Sequence, residues 1–551
     1  MEKQKTTRRQ FLRGAAAAGA AMAAGGMVAA SGSTLVQAAT IPSPVPEETA
    51  DVVVVGGGIA GLVASIRATQ QGAKVTLIDK LGRIEGLKID GRRLTGLLGR
   101  HPWELDHPDA PLYIYGYGNE TSLSQGQIFY LGDKRNMQRI LEGFKDHSWG
   151  RGNIPLSRKI AEIGPGVFKW LQDLGVDTFK ANKIAPDGQR WQGRHWPQSL
   201  YAVAEPRGVK LIFKTRAVDL IIDASGRRVI GVAAIGPEGR RNYVARNGVV
   251  LATGSFEGNE AMKLQYLEPR PEMARILVSG SPTNTGDGII MAQRIGAKLL
   301  NLETSHIRTP DAVAYGEGPS RALGTLAPQP VYQRCIYVNL SGDRFVDENA
   351  DSDTVAHTIL HQTRMLVYLV WDDKLYKENE KIFDTYVQRT IKESPVSVTK
   401  EQLILVSESP EQLAVKMKVP VDRFKKTIEE YNAAVKADGT ASGLSVAKIK
   451  NAVKLDTPPF YAHSVTCAMN QGLGGIATNA NMEVINTEDE VIPGLYACGS
   501  TIWYHYGQTY EIGGVQYYKT SYRTDAGPPG LGYSSCTGYL AGENMGAAKT
   551  G

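Results

Sequence analysis

Residues 51–80, DVVVVGGGIAGLVASIRATQQGAKVTLIDK, constrain the fold of this chain more than any other stretch. Four consecutive β-branched residues, Val52 to Val55, read as a strand buried on both faces. Gly56, Gly58 and Gly61 follow with GxGxxG spacing at a strand-to-helix turn. The first permits the turn, the second lets backbone approach a pyrophosphate, and the third lets helix and strand pack closely. The amides of Ile59 and Ala60, at the start of the helix, would face the phosphates. A second strand, KVTLIDK, ends in Asp79, placed to accept from a ribose hydroxyl, with Lys80 beside it. Strand, glycines, helix, strand and terminal acid in this order predict a dinucleotide-binding βαβ unit.

The remaining composition narrows the class. With 551 residues, 42% hydrophobic and 21% charged, the chain is long enough for two or more domains. A net charge of +6, partly from the basic amino terminus, gives no argument for a nucleic-acid partner. Cys335, Cys467, Cys498 and Cys536 are widely spaced, without CxxC, which excludes a simple zinc, iron–sulfur or CxxCH haem motif. One or two disulfides stay open at this level. At the amino terminus, TRRQFLR precedes an Ala/Gly-rich run and the small-residue pattern VQAAT. The pattern is similar to a twin-arginine signal peptide, residues 1–38, which implies export of a folded, cofactor-loaded protein to the periplasm or another extracytoplasmic space. The run is too weakly apolar for a membrane span, so an integral membrane protein is not expected.

Two further segments separate FAD from NAD. NGVVLATGSFEGN, carrying Thr253 and Gly254, and VIPGLYACGS, ending in Gly499 and Ser500, each read as a buried strand running into a Gly-flanked turn. They resemble the second and third flavin-contacting strands of the fumarate reductase and succinate dehydrogenase flavoprotein superfamily. PTNTGDGIIMAQRIGAKL, with Asp287, resembles its TGDG-helix segment, and IYVNLSGDRFVDEN resembles its VN..G.RF.NE hairpin. GNETSLSQG is similar to the flavin-facing loop, which assigns Thr121, Ser124 and Gly126 to the cofactor, although about 35 residues separate it from Asp79. KTRAVDLIID matches the strand that passes the adenine, near Val218. The resemblance implies non-covalent FAD and an α/β fold: a discontinuous Rossmann-like FAD-binding domain at residues 50–300 and 466–551, with an inserted α+β substrate-capping domain at 301–465. Within the cap, Phe424, Ile428 and Tyr431 are spaced for one helical face.

The resemblance also implies chemistry at a CH–CH bond, and there the sequence departs from the fumarate reductases. Their catalytic arginine position falls near Val331, flanked by Tyr332 and Arg334; Asn470 and Gln471 replace two histidines. The carboxyl-terminal arginine that grips a carboxylate is replaced by GPPGLGYSSCTGYLAG. That ending is nearer the 3-ketosteroid dehydrogenase branch and would place Gly530 and Leu531 near the flavin pyrimidine. Its catalytic tyrosine does not carry over, since Ala526 aligns there and the nearest tyrosine is Tyr522. WYHYGQTYEIGGVQYYKTSY, between Trp503 and Tyr522, reads as a wall for an aromatic or polycyclic substrate, or else as an exposed or subunit-contact loop. His505, Tyr506 and Tyr510 are candidate acids or carbonyl donors within it. Tyr332 is the first candidate for proton transfer, with Arg334 as a neighbouring cation if both lie on one extended strand. Arg308 and His306 occupy the region of a substrate-binding histidine.

The expected protein is an exported FAD oxidoreductase reducing an activated C=C bond in an enone or unsaturated acid. A separate cytochrome or quinone-linked protein would supply its electrons. A 3-ketosteroid-type dehydrogenase working in the oxidative direction, and a flavin electron-transfer subunit with no substrate of its own, are the alternatives. No metal site is expected.

Overall fold

A computed structural model of the chain describes residues 46–83, 153–176, 195–267, 273, 276–278, 281, 283–312, 329–350, 352–393, 399–503, 508–512, 515–519 and 530–547. The chain divides into two units, Met1–Pro44 and Val45–Gly551, and every described residue belongs to the second.

The valine run becomes the centre of the main sheet. β1 (Glu47–Val55) lies between β2 (Val75–Ile78) and β6 (Gly239–Leu251), parallel to both, with Val53 opposite Thr76 on one side and Val249 on the other. Covered on both faces, each of these valines contributes about 1.5–3 kcal/mol relative to exposure. β3 (Lys210–Ile212) extends the sheet beyond β2. β16 (Val491–Ala497), from the far end of the chain, runs parallel to the end of β6, and β15 (Glu483–Ile485) lies antiparallel outside it. β4 (Arg216–Ile222) and β5 (Val229–Gly236) form an antiparallel extension on the first half of β6. Strands separated by more than 200 residues of sequence therefore share one sheet, as a discontinuous domain requires.

Helix α1 (Ile59–Gln70) leaves the end of β1; α2 (Ile154–Asp173) reaches its last turn through Trp170, whose Nε1 donates to Gln70 at 2.9 Å, and α3 (His195–Ala204) packs against it. Gly56 has φ +111°, and a Cβ on Gly61 would fall 1.9 Å from the Gly56 carbonyl oxygen. Only hydrogen fits at position 61, so the third glycine of the motif sets the helix–strand approach. The carboxyl-terminal helix α9 (Gly530–Ala547) packs along α1 by the same device. Added Cβ atoms at Gly538 and Gly542 would lie 2.3 Å from the carbonyl oxygens of Ala60 and Ala64. α4 (Asp287–Arg294) begins at the TGDG segment.

The capping sheet has the order β10 (Ile336–Asn339), β11 (Leu366–Asp372), β13 (Phe460–Gly472), β12 (Leu405–Ser407). β7 (Leu277–Val278) and β9 (Ser305–Ala312) pair with the far part of β13. Helices α5 (Ser352–Leu360), α6 (Asp373–Glu378), α7 (Pro410–Met417) and α8 (Val421–Ala434) belong to this half. Phe424, Ile428 and Tyr431 of α8 turn inward onto Ile336, Val338, Tyr368 and Val370, giving the cap a core of its own. β13 runs unbroken across residues 465 and 466, where the sequence reading set the boundary between cap and flavin domain. Two small ribbons complete the strands of the described residues: β8 (Leu299–Leu300) with β14 (Gly475–Ile476), and β17 (Gln508–Ile512) with β18 (Val515–Lys519).

The segment similar to the VN..G.RF.NE hairpin resolves into a buried charge triad. The Glu348 carboxylate accepts from Arg344 Nη2 at 2.9 Å, from Lys448 Nζ at 3.0 Å and from the Tyr337 amide at 3.0 Å. Burial raises the Glu348 pKa, but Lys448 and Arg344 outweigh it and hold the carboxyl below its ordinary value. No disulfide joins the four cysteines, all of them buried, so the pairing left open by the sequence is not formed. Among the described residues no helix is long and apolar enough to cross a membrane.

Candidate active site

The carboxyl ends of β1, β2 and β6 open onto a cleft, the place where parallel α/β sheets bind ligands. Gly56, Gly58, Ile59, Ala60, Asp79, Lys80, Thr253, Gly254, Asp287, Gly499 and Ser500 all line it. Two strand ends are tied together across it, because the Gly254 amide donates to Thr501 Oγ1 at 3.0 Å. The α1 amino terminus opens into the cleft, and Ser534 reaches it from the first turns of α9. The amides and dipole of a helix start suit a pyrophosphate.

Asp79 is buried at the end of β2. One carboxylate oxygen accepts from the Gly57 amide, and the other from the Leu81 amide at 2.6 Å. Burial pushes its pKa up, against those two amides. Carboxylate oxygens carry further lone pairs, so the acid still fits a ribose hydroxyl. Glycine cradle, helix start and acid at the second strand end together fit an adenine dinucleotide.

Several expected residues lie elsewhere. Gly61 shapes the turn from behind, and Gly530 and Leu531 are not among the lining residues. Val218 is displaced by a bulge: Ala217 pairs with Ala234 and Asp219 with Ala233, leaving Val218 unmatched, its carbonyl accepting from Arg294 at 3.2 Å. Its neighbours Thr215, Arg216 and Ala217 line the cleft instead, with Thr283, Asn284 and Ser534. The strand of the adenine resemblance thus borders the cleft; a bulge leaves no signal in residue types. Thr121, Ser124 and Gly126 lie outside the described residues.

The cap meets the cofactor cleft through the end of β13. Ser255, next to Gly254, donates from its hydroxyl to the Gly472 carbonyl at 2.9 Å. Gln471, just before that anchor, is buried and lies opposite His306 on β9, which is also buried; Arg308 lies opposite Ala468. The residues expected to face substrate from β9 and β13 thus share one strand pair beside the cofactor cleft.

Tyr332 and Arg334 do not share an extended strand. Residues Gln329–Tyr332 form a helical turn, the Arg334 amide donates to the Val331 carbonyl, and β10 begins only at Ile336. Tyr332 is buried, whereas Arg334 is partly exposed and pairs with Glu378 of α6 at 2.7 Å. That ion pair commits Arg334 to a cap helix, which removes the reason for casting it as a partner of the Tyr332 phenol. Tyr510 lies on β17, directly opposite Tyr517 of β18; His505 and Tyr506 lie outside the described residues. Among the described residues no cluster of His, Cys, Asp and Glu could hold a metal ion.

Comparison with known proteins agrees with this geometry. The chain is 28% identical over 507 residues to the NADH:acrylate oxidoreductase of Vibrio harveyi, a match covering 82% of this chain and 47% of that protein, so the chain spans about half the length of this relative. It is 25% identical over 494 residues to the vinyl phenol reductase of Lactiplantibacillus plantarum, covering 84% and 91%. Among solved structures, the open conformation of a flavocytochrome c3 fumarate reductase superposes with a TM-score of 0.65 at 22% identity, covering all of this chain and 83% of that one; at this identity the likeness speaks for the fold. The model of the FAD binding domain family matches residues 51–89 and 118–516, broken where the long insertion after Asp79 falls. The chain belongs to the FAD binding domain family, and FAD is its cofactor.

Proposed function

We propose that the chain is an FAD-dependent oxidoreductase that reduces an activated carbon–carbon double bond in a small unsaturated compound, aromatic or polycyclic rather than fumarate. Bound and reduced, FAD supplies hydride to such a bond. The protein's share is to orient the alkene, polarise its electron-withdrawing group and deliver a proton to the neighbouring carbon. One observation carries the choice of substrate: the strand end anchored beside the cleft bears the amides Asn470 and Gln471, with His306 opposite. Neutral amides donate to a carbonyl, whereas a dicarboxylate calls for fixed, charge-assisted forks. Relatives named for acrylate and for vinyl phenol support a vinyl acceptor, and the second supports an aromatic one.

In this reading Tyr332 is the proton donor, buried in the turn before β10. His505, Tyr506 and Tyr510 belong to the wall that contacts the ring of the substrate. Electrons come from a separate cytochrome or quinone-linked protein, and the chain is exported by the twin-arginine route to an extracytoplasmic compartment.

The test is anaerobic flavin absorbance. The purified protein is reduced, then mixed separately with fumarate, a cinnamate-type acid, a vinyl phenol and a steroid enone. Rapid reoxidation by the bulky acceptors and not by fumarate is expected. Tyr332→Phe should then slow reoxidation about 10²–10⁴-fold, the usual weight of a general acid. Reoxidation by fumarate alone would overturn the substrate class, and an unchanged rate in the Tyr332 variant would remove that residue from the chemistry.

A further inference from the structure

Arg216, the first residue of β4, lines the cleft and has no counterpart in the dinucleotide fingerprint. Its surroundings locate it at the adenosine end. The amide of its neighbour Thr215 donates to the carbonyl of Asp79, the ribose acid, at 2.8 Å, and the Lys214 amide donates to Leu81 at 2.8 Å. The guanidinium meets Asp287 side-on: Nη2 donates to Oδ1 at 2.9 Å and Nε to Oδ2 at 3.2 Å. Asp287 is itself nearly inaccessible, and its oxygens also accept from Lys80 Nζ at 2.9 Å and from Thr285 Oγ1 at 2.9 Å. Lys80 donates in turn to the Thr285 hydroxyl at 2.7 Å.

Two consequences follow. Asp287 accepts four hydrogen bonds from protein groups, which fills the capacity of a carboxylate. It therefore holds Arg216, Lys80 and Thr285 in place at the edge of the cleft that it lines. Arg216, for its part, is held in a defined plane by a two-point contact, and its charge is balanced. Among the described residues, Lys80 and Arg216 are set against Asp79 and Asp287 at this end of the cleft, two cationic and two anionic side chains. An arginine with excess positive charge at the ribose would favour a 2′-phosphate. A charge-balanced, planar guanidinium presents a face for stacking on an aromatic ring.

We propose that Arg216 is an adenine-stacking residue, its guanidinium plane set by Asp287, and that this contact selects the adenosine-bearing flavin over the shorter riboflavin 5′-phosphate. The inference rests on FAD as cofactor and is independent of which alkene is reduced.

The test is titration of the full-length chain, stripped of flavin, with FAD, ADP, 2′,5′-ADP and riboflavin 5′-phosphate, read by calorimetry or flavin fluorescence without substrate. Arg216→Ala should weaken FAD and ADP roughly ten- to thirty-fold, in line with a desolvated cation–π contact, and leave riboflavin 5′-phosphate unchanged. Arg216→Lys keeps a cation beside Asp287 but lacks the plane, and should lose nearly as much. Asp287→Asn should weaken ADP in the same direction by releasing the guanidinium. Full retention of ADP affinity in the lysine variant would overturn the stacking role in favour of charge. Tighter binding of 2′,5′-ADP than of ADP by the unaltered chain would make Arg216 a phosphate hook. An equal loss for riboflavin 5′-phosphate in the alanine variant would reduce it to a support of the fold.

Discussion

The cofactor half and the cap are held together by different means. In the cofactor half the decisive contacts are made by backbone and by missing side chains: Gly61 against the Gly56 carbonyl, Gly538 and Gly542 against α1, amides clasping Asp79. In the cap the corresponding work falls to buried side chains, above all Arg344, Glu348 and Lys448 around the Tyr337 amide, and His463 within β13. The first kind of contact tolerates almost no added volume, because a carbonyl cannot rotate away. The second tolerates volume changes better but is sensitive to charge, since an unpaired ion in a closed interior is costly.

That contrast can be broken by substitution. The largest effect is expected for Gly61→Ala, whose methyl would lie 1.9 Å from the Gly56 oxygen. The turn has to open, so FAD should no longer copurify, as absorbance of the purified variant would report. Retained flavin would mean the turn is softer than its packing implies. Next comes Glu348→Ala, which strands Arg344 and Lys448 and should cost about 3–5 kcal/mol in urea unfolding. A loss below about 1 kcal/mol would show that water reaches the triad and that the cap does not depend on it.

A smaller, pH-dependent effect sharpens the comparison. Burial depresses the His463 imidazole to about 4, with the Leu403 carbonyl opposing the shift through Nδ1. The unfolded chain takes up this proton near the ordinary value of 6.5, before the folded chain does. Stability should therefore fall as pH drops from about 6.5 to about 4, by roughly 3 kcal/mol, and level off below. His463→Gln should flatten that part of the pH profile of urea midpoints; an unchanged slope would assign it to other groups. In the cofactor half the same sign applies to Asp287, but in a lower window, beneath the ordinary carboxylate value. Burial raises it, but Lys80 and Arg216 hold it well below the carboxylate range, so the cluster around Arg216 persists through the same window.

Much of the cofactor half was legible because its chemistry is local. GxGxxG and the acid after β2 are read from one short segment, and the strands ending at Gly254 and Ser500 announce themselves by buried runs before glycine. Arg216 was not legible, since an arginine opening a strand looks like a solvated side chain until Asp287, 71 residues away, is placed against it. The bulge at Val218 was not legible for a related reason: it depends on the register of β4 against β5. Tyr332 and Arg334 were expected on an extended strand, yet the backbone turns there, and Glu378 from a separate helix claims the arginine.

The sequence by itself determined the cofactor class, the α/β architecture and the glycine-flanked strand ends that line the cleft, because steric exclusion by glycine and burial by β-branched runs act between near neighbours. Only the tertiary structure decided which side chains face the cofactor, which charges neutralise one another and where the cap touches the cleft. Those outcomes depend on distances between segments far apart in the chain, and residue type alone does not encode them.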